Sequence, residues 1–357
     1  MTRVCLFGDF DPEYPRNRII REGLQAAGVE VYSCMTHKKG WSRFRDLRRI
    51  YRTIPPHDLV LVGYSDSRTM VPFARFITKV PVAWDAFYSR YDAMVKDRAL
   101  VSRFSLKAWM YWFGDFVSAH LACRVFLDTE THAAYFSQAF FVRRARCVSI
   151  LVGSDAWPIA VPREAQGVLT IGFYGKYIPL QGVDVIIRAA HLLTDKPNIR
   201  FVLLGSGQTY AQMRVLARRL GGTNIEFRDR IPAKEIPSFI ASLDIALGIF
   251  GTTGKAARVI PNKVYDAIAM GKPVITADTP AVRELLQPGY DVFLVPAGDP
   301  EALAAAIEKL ASDEALRKEL GAHALETYQK YATPKIIGEK LTSALQAARK
   351  NDCAQRA

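Results

Sequence analysis

Short apolar runs alternate with helix-period stretches along most of the chain, the pattern of parallel strands covered by helices. In the first half the runs that predict strands are Arg3 to Phe7, Val29 to Ser33, Leu59 to Val62, Val80 to Trp84, Arg124 to Leu127 and Cys147 to Leu151. Their trailing loops are glycine-bearing or polar: 8–11, 63–66, 85–88, 128–130 and 152–155. Ligands of open parallel sheets gather at the carboxyl ends of strands, so these loops are expected to form one wall of a site. Periodicity then fails at Trp157 to Pro162, where two prolines predict a linker. The pattern restarts with Leu169 to Gly175, Arg200 to Leu204, Ile225 to Arg228, Ile245 to Ile249, Val274 to Thr276 and Phe293 to Val295. Two α/β domains of doubly wound parallel sheet are expected, 1–158 and 166–333. Helices Glu301 to Leu310 and Glu314 to Lys330 close the second, and a final helix after Pro334, about 334–350, can cross back onto the first. A length of 357 residues suits two domains of ordinary size.

The stretch Asn262 to Thr276 carries the most chemistry. Val264, Tyr265, Ile268 and Ala269 recur at helical spacing, Gly271 supplies a stop, and Pro273 opens an apolar strand. Lys263 and Asp266 therefore sit at a helix start. Exposed N–H groups and the helix dipole attract phosphate there, Lys263 adds charge, and a carboxylate accepts from ribose hydroxyls. Taken alone, a lysine and an acid at a helix start also read as capping and solvated charge.

Composition excludes several alternatives. The five cysteines are scattered with no Cys-x-x-Cys pair, which points to a reduced, cytoplasmic setting. The first residues run straight into a strand with no charged-then-apolar leader. No run reaches the roughly eighteen apolar residues of a membrane span, because Asp115, His120 and Arg124 break the greasiest segment, Trp109 to Leu127. The six histidines are dispersed, so no metal site is expected. After Gly205 and Gly207 the third glycine of a dinucleotide fingerprint is replaced by Tyr210. The segment Gly248 to Lys255 has the wrong spacing for a phosphate-binding P-loop, and Ala256 replaces its hydroxyl.

The net charge of +13 is concentrated in places. Between Thr36 and Arg52 seven basic residues face one acid, Asp46, with Trp41, Phe44, Leu47, Ile50 and Tyr51 among them at helical steps. Two readings stand: a helix lying on an anionic membrane surface through 36–52, or a core-facing apolar edge beneath a solvated basic face. Nucleic acid is not expected as a partner, since no recognition motif accompanies the charge.

The second half resembles the donor-binding domain of the retaining family 4 glycosyltransferases, the group 1 glycosyl transferases of GT-B fold. The resemblance rests on Gly175-Lys176-Tyr177-Ile178-Pro179-Leu180-Gln181-Gly182-Val183-Asp184, Leu204-Gly205-Ser206-Gly207, the helix from Asp266 to Gly271, the Pro273-Val274-Ile275 strand, Glu284, and Val295-Pro296-Ala297-Gly298-Asp299-Pro300. It implies two Rossmann-like domains facing across a cleft, a nucleoside-diphosphate sugar donor, and transfer with retention to a hydroxyl acceptor. No cofactor and no metal are implied. The acceptor is expected to be a glycan or a lipid-linked glycan of the cell envelope, which fits the aromatic residues Phe87, Tyr88, Tyr91, Trp109, Tyr111, Trp112 and Phe113, whose faces equally suit a core. The family holds the donor diphosphate with cations at the positions of Lys176 and Gln181, and only Lys176 keeps its charge here. Its pair of glutamates eight residues apart falls on Arg258 and Asp266. A subset carries proline and lysine before the second acid, matched by Pro261 and Lys263. The donor-binding set implied is Gly8, Gly175, Lys176, Gln181, Gly205, Gly207, Arg230, Arg258, Asn262, Lys263, Asp266 and Glu284. Lys176 and Lys263 would stabilise the departing phosphate, and Asp266 would bind ribose. Asp85, at the end of a central strand, is the acceptor-side candidate for catalysis, with a capping role as the competing reading. A non-catalytic sugar-nucleotide binder and a GT-B epimerase are the alternatives.

Overall fold

The computed structural model describes residues 2–155 and 167–356, with side chains as far as Arg349. The chain divides into two compact units, 1–153 with 332–357, and 154–331. The segment expected as a linker, 157–162, lies outside the described residues.

The first unit alternates β1 (Arg3–Gly8), α1 (Pro15–Ala26), β2 (Glu30–Met35), α2 (Ser42–Tyr51), β3 (Leu59–Val62), α3 (Met70–Ile77), β4 (Val82–Phe87), α4 (Leu106–Leu121), β5 (Arg124–Leu127), α5 (Glu130–Ala139) and β6 (Cys147–Ser149). The strands form one parallel sheet in the order β2-β1-β3-β4-β5-β6. Pleating sends alternate residues to opposite faces. Val4, Leu6, Leu61 and Phe126 pack on one side, and Cys5, Phe7, Val62, Trp84 and Leu127 on the other. Polar side chains start the helices where the sequence supplies them: Ser105 caps α4, and Thr129 caps α5 by accepting from the His132 amide at 3.0 Å.

The second unit contains β7 (Leu169–Lys176), α6 (Val183–Leu192), β8 (Ile199–Ser206), α7 (Tyr210–Arg219), β9 (Ile225–Arg228), α8 (Ile236–Ala241), β10 (Ile245–Leu247), α9 (Asn262–Ala269), β11 (Val274–Ala277), β12 (Phe293–Val295), α10 (Pro300–Ser312) and α11 (Glu314–Tyr331). Its parallel sheet runs β12-β11-β10-β7-β8-β9. Connections lead one way from β7 through β8 and β9, and the other way from β10 onward. The direction of the connections switches between β7 and β10, and doubly wound sheets bind ligands at the carboxyl ends of strands beside such a switch.

The last helix, α12 (Pro334–Arg356), belongs to the first unit and lies against α1. Ile337, Leu341 and Leu345 are buried beside Ile19, Ile20 and Leu24. Glycines let the two backbones meet: a Cβ on Gly338 would stand 1.8 Å from the Gly23 carbonyl oxygen.

Two features differ from the sequence expectation. Strand β4 is displaced from 80–84 to Val82–Phe87. Pro81 has no N–H to give the ladder, although its carbonyl accepts from Val60, and a register shift between Asp85 and Phe87 carries the strand onward. Asp85 therefore lies within a strand and not in the loop beyond it. The apolar edge of the basic segment 36–52 also faces inward. Leu47 of α2 is fully buried, and Phe44, Ile50 and Tyr51 pack on the same core, leaving Trp41 exposed. This favours the core-facing edge over the membrane reading for 36–52. Asp46 gathers part of the basic face through Lys38 and Arg49, both at 2.9 Å.

Candidate functional site

The β7 and β8 strands run side by side to their ends, with Gly175 opposite Gly205 and Lys176 opposite Ser206. Gly175, Gly205 and Gly207 have φ of +149°, +136° and +153°, which L residues rarely adopt. A Cβ on Gly205 would stand 2.0 Å from the Gly175 carbonyl oxygen. These glycines bring bare backbone to the open end of the sheet. On the neighbouring side, a loop-to-loop contact fixes the start of α6. Gly182, at φ +63°, approaches Gly251 so closely that a Cβ would lie 2.4 Å from the Gly251 nitrogen. The Phe250 amide donates to the Gln181 carbonyl at 3.0 Å.

Lys263 comes to this place from the first turn of α9. Its side chain is 6 % exposed, donates a short hydrogen bond to Gln181 Oε1, and sets Nζ over the Phe173 ring at 3.6 Å from the centroid. A Cβ on Gly175 would be 3.1 Å from the same Nζ. Among the described residues no carboxylate pairs with this ammonium. Burial therefore pushes its pKa well below the usual lysine value. The aromatic face and the Gln181 carbonyl offset part of that penalty. A desolvated cation at a sheet switch point, with no acid beside it among the described residues, leaves a charge that an anion could answer. Pro261 supplies no side-chain cap to α9, so the first amide groups of that helix are not answered by one.

Asp266 lies one turn further along α9 and is half-buried. Its Oδ1 accepts from Ser154 Oγ at 2.6 Å, and its Oδ2 accepts a short bond from Tyr174 OH. Burial and the neighbouring carboxylate push the Tyr174 hydroxyl well above the usual tyrosine range, so it stays a donor. Tyr328 OH in turn donates to the Ser154 carbonyl at 3.0 Å. Removing the tyrosine hydroxyl with Tyr174→Phe is expected to lower stability by about 1–2 kcal/mol. Denaturant unfolding checks this; an unchanged midpoint would contradict the pairing.

The other expected residues sit at varied distances from this centre. Gln181 is buried with Lys263, and Asn262 is half-buried at the first position of α9. Lys176 is exposed at the end of β7. Arg258 ends the turn Ala256–Arg258, its guanidinium beside Gly254. Arg230 is exposed beyond β9, and Glu284 is exposed at the end of the turn Val282–Glu284. Gly8, at φ +141°, ends β1 in the first unit beside Phe10 and Met70.

Asp85 has another environment. It is 1 % exposed and takes both oxygens to Arg16, with Nε at 3.1 Å and Nη2 at 2.9 Å. Burial pushes its carboxyl upward, against the pull of Arg16. Arg16 Nη1 also donates to the carbonyls of Ile150 and Leu151, so the pair ties α1 to β4 and to the chain beyond β6. This carboxylate is buried in an ion pair with Arg16, which favours the competing structural role over acceptor-side catalysis. Sequence reasoning missed Tyr174, Ser154 and Phe173 as members of the site. Phe173 and Tyr174 belong to β7 and Ser154 to the loop beyond β6, and no local pattern singled them out.

Comparison with known proteins agrees with this architecture. Residues 168–313 match the family model described as Glycosyl transferases group 1. The chain is 25 % identical over 208 residues to the lipopolysaccharide core biosynthesis glycosyltransferase LpsE of Rhizobium meliloti, covering 56 % of this chain and 57 % of that one. It is 28 % identical over 171 residues to the phosphatidyl-myo-inositol mannosyltransferase of Mycolicibacterium smegmatis, covering 48 % and 42 %. An exopolysaccharide phosphotransferase of Streptomyces coelicolor is 28 % identical over 179 residues, 49 % of this chain and 18 % of that protein. The chain thus spans less than two thirds of the length of each of these relatives. The structure of Anabaena HepE, determined in complex with UDP and glucose, superposes with a TM-score of 0.74 at 16 % identity, over 97 % of this chain and 99 % of that one. The chain has the GT-B fold of two parallel six-stranded units, and its second unit is similar in sequence to the glycosyl transferases group 1 family.

Proposed function

We propose that this protein is a glycosyltransferase that moves a sugar from a nucleoside-diphosphate sugar to a hydroxyl of a polysaccharide or glycolipid acceptor, with retention of configuration. The observation that carries the reading is Lys263: a buried ammonium with no acid partner among the described residues, beside Gln181 and the Gly175 backbone at the β7/β10 switch. As the bond from sugar to diphosphate breaks, negative charge grows on the leaving phosphate, and a cation already desolvated and in place lowers that barrier. Lys263 supplies this charge where the family resemblance implies a lysine at Gln181. Lys176, Arg258 and the amide groups opening α9 extend the cradle, which serves without a metal. Asp266, oriented by Tyr174 and Ser154, accepts from the ribose hydroxyls. The bare backbone at Gly205 and Gly207 gives the nucleotide room. Gln181, Asn262, Glu284, Arg230 and Gly8 complete the donor-binding set.

The names of similar proteins support both halves of the reading, since one is a lipopolysaccharide-core glycosyltransferase and one structure was solved with UDP-glucose. The test is a thermal-shift screen of UDP-, GDP-, ADP- and dTDP-sugars, followed by assay of nucleotide release with EDTA present. A ligand at a hundred times its Kd adds about 2.7 kcal/mol to stability. One sugar nucleotide is expected to stabilise the protein and to be consumed, giving a product of unchanged anomeric configuration by NMR. Stabilisation without turnover on any acceptor would indicate a binding protein. Interconversion of the sugar on its nucleotide would indicate an epimerase.

A further inference from the structure

Helix α4 has two apolar faces, and the sheet uses only one of them. Ala108, Trp112, Phe116 and Ala119 turn inward, where Ala108 and Ala119 are fully buried. Leu106, Trp109, Met110 and Phe113 recur at steps of three and four on another face, and all are exposed, Leu106 at 74 % and Trp109 at 58 %. Phe104, in the turn before the helix, extends this stripe at 84 % exposure. A soluble helix normally carries polar residues on its outer face, and a contiguous apolar outer stripe marks an interaction surface.

Charge identifies the partner. From Arg98 to Gly114 there is no acidic residue, while Arg98, Arg103 and Lys107 are basic. The flanking acids are out of play: Asp97 and Asp115 are buried, and Asp115 is bound to Arg68. Arg103 lies over the Phe104 ring at 4.5 Å and Lys107 near the Tyr111 ring at 6.0 Å, so both cations border the stripe. We infer that α4 and the turn before it dock on an anionic lipid bilayer, the stripe entering the headgroup boundary and Arg103 and Lys107 pairing with lipid phosphates. A second copy of the chain fits less well, because a two-fold contact would bring these cations together with no acid to answer them. Single-stranded nucleic acid fits less well too. Trp109 and Phe113 stack on each other at 5.2 Å and 6° between planes, so their facing surfaces are taken, and Leu106 and Met110 are not base platforms. Among the described residues no helix is long and apolar enough to cross a membrane, so the contact is one of surface docking. This surface lies apart from the transferase reading and stands or falls without it.

Co-sedimentation of the full chain with vesicles tests the inference, using phosphatidylcholine alone and phosphatidylcholine with about 30 % phosphatidylglycerol. Binding is expected with the anionic vesicles, weakening as salt rises. The variants Trp109→Ser/Phe113→Ser and Arg103→Glu/Lys107→Glu should each bind at least roughly tenfold less well. Trp41→Ser, which alters the exposed tryptophan before α2, should bind as the parent does. Circular dichroism of each variant confirms the fold. No binding to anionic vesicles, or equal binding by the parent and both double variants, would overturn the inference. So would a dimer in solution that Trp109→Ser/Phe113→Ser converts to monomer, or tighter binding to single-stranded nucleic acid than to vesicles.

Discussion

Replacing Lys263 with methionine is expected to weaken nucleoside-diphosphate binding by roughly a hundredfold, about 3 kcal/mol, and at the same time to stabilise the ligand-free protein. The two effects have one origin. In the empty site the ammonium is desolvated, with Gln181 Oε1 and the Phe173 face beside it and no acid among the described residues, so its charge opposes folding. A diphosphate supplies the missing counter-charge, and hydrogen bonds to charged groups are the stronger kind. Methionine keeps the stem and removes the charge. The Gln181 carbonyl then loses its donor, so the net gain in stability is modest, about 1 kcal/mol. The pH dependence has a fixed sign. The folded-state pKa of Lys263 lies below the value of 10.5 it has when unfolded, so between the two the unfolded chain binds more protons. The stability of the ligand-free protein therefore rises with pH through that window, and this contribution disappears in Lys263→Met. Binding a diphosphate draws the pKa back up. In the same window binding is accompanied by proton uptake, and affinity falls as pH rises. Calorimetry in buffers of different ionisation enthalpy reads that uptake directly.

Asp85→Asn is expected to destabilise the first unit by about 3–5 kcal/mol, because it breaks the buried ion pair with the Arg16 guanidinium. Loss of activity in that variant would therefore say little about chemistry. The informative protein is Arg16→Met/Asp85→Leu. Replacing a buried ion pair by apolar groups of similar volume often restores stability, although the Ile150 and Leu151 carbonyls lose their donor here, so recovery is partial. Turnover per folded molecule in the double variant is expected to stay within roughly tenfold of the parent, since positioning alone is disturbed. A double variant that folds but is inactive by several orders of magnitude would return Asp85 to a catalytic role.

How far the chain could be read from its pattern depends on the range of the forces involved. The strands of both sheets follow from local apolar runs, and most were placed within two residues of their observed ends. Strand β4 slipped because Val80 and Val82 look alike in hydropathy, while Pro81 decides which of them begins the ladder. The grouping of Gly175, Gln181 and Lys263 was implied by the family resemblance across some ninety residues, which no local pattern shows. The partners of Asp266 were not legible. Tyr174 is 92 residues away and Ser154 is 112 residues away, each a hydroxyl of a common kind. The partner of Asp85 was hidden for the same reason, since nothing in the strand reveals Arg16, 69 positions earlier. The basic stretch 36–52 could not declare which way its apolar edge pointed, and α4 carries two apolar stripes whose competition for the core is settled by packing alone.

Lys263 is proposed to receive a diphosphate at the β7/β10 switch of the second unit. The most direct test is isothermal titration of the parent and of Lys263→Met with UDP, GDP and ADP. One nucleotide is expected to bind the parent, with proton uptake at pH values between the folded and unfolded pKa of Lys263, and the variant, more stable when empty, to bind it roughly a hundredfold more weakly. Equal affinity for parent and variant, or a folded parent that binds none of the three, would contradict it.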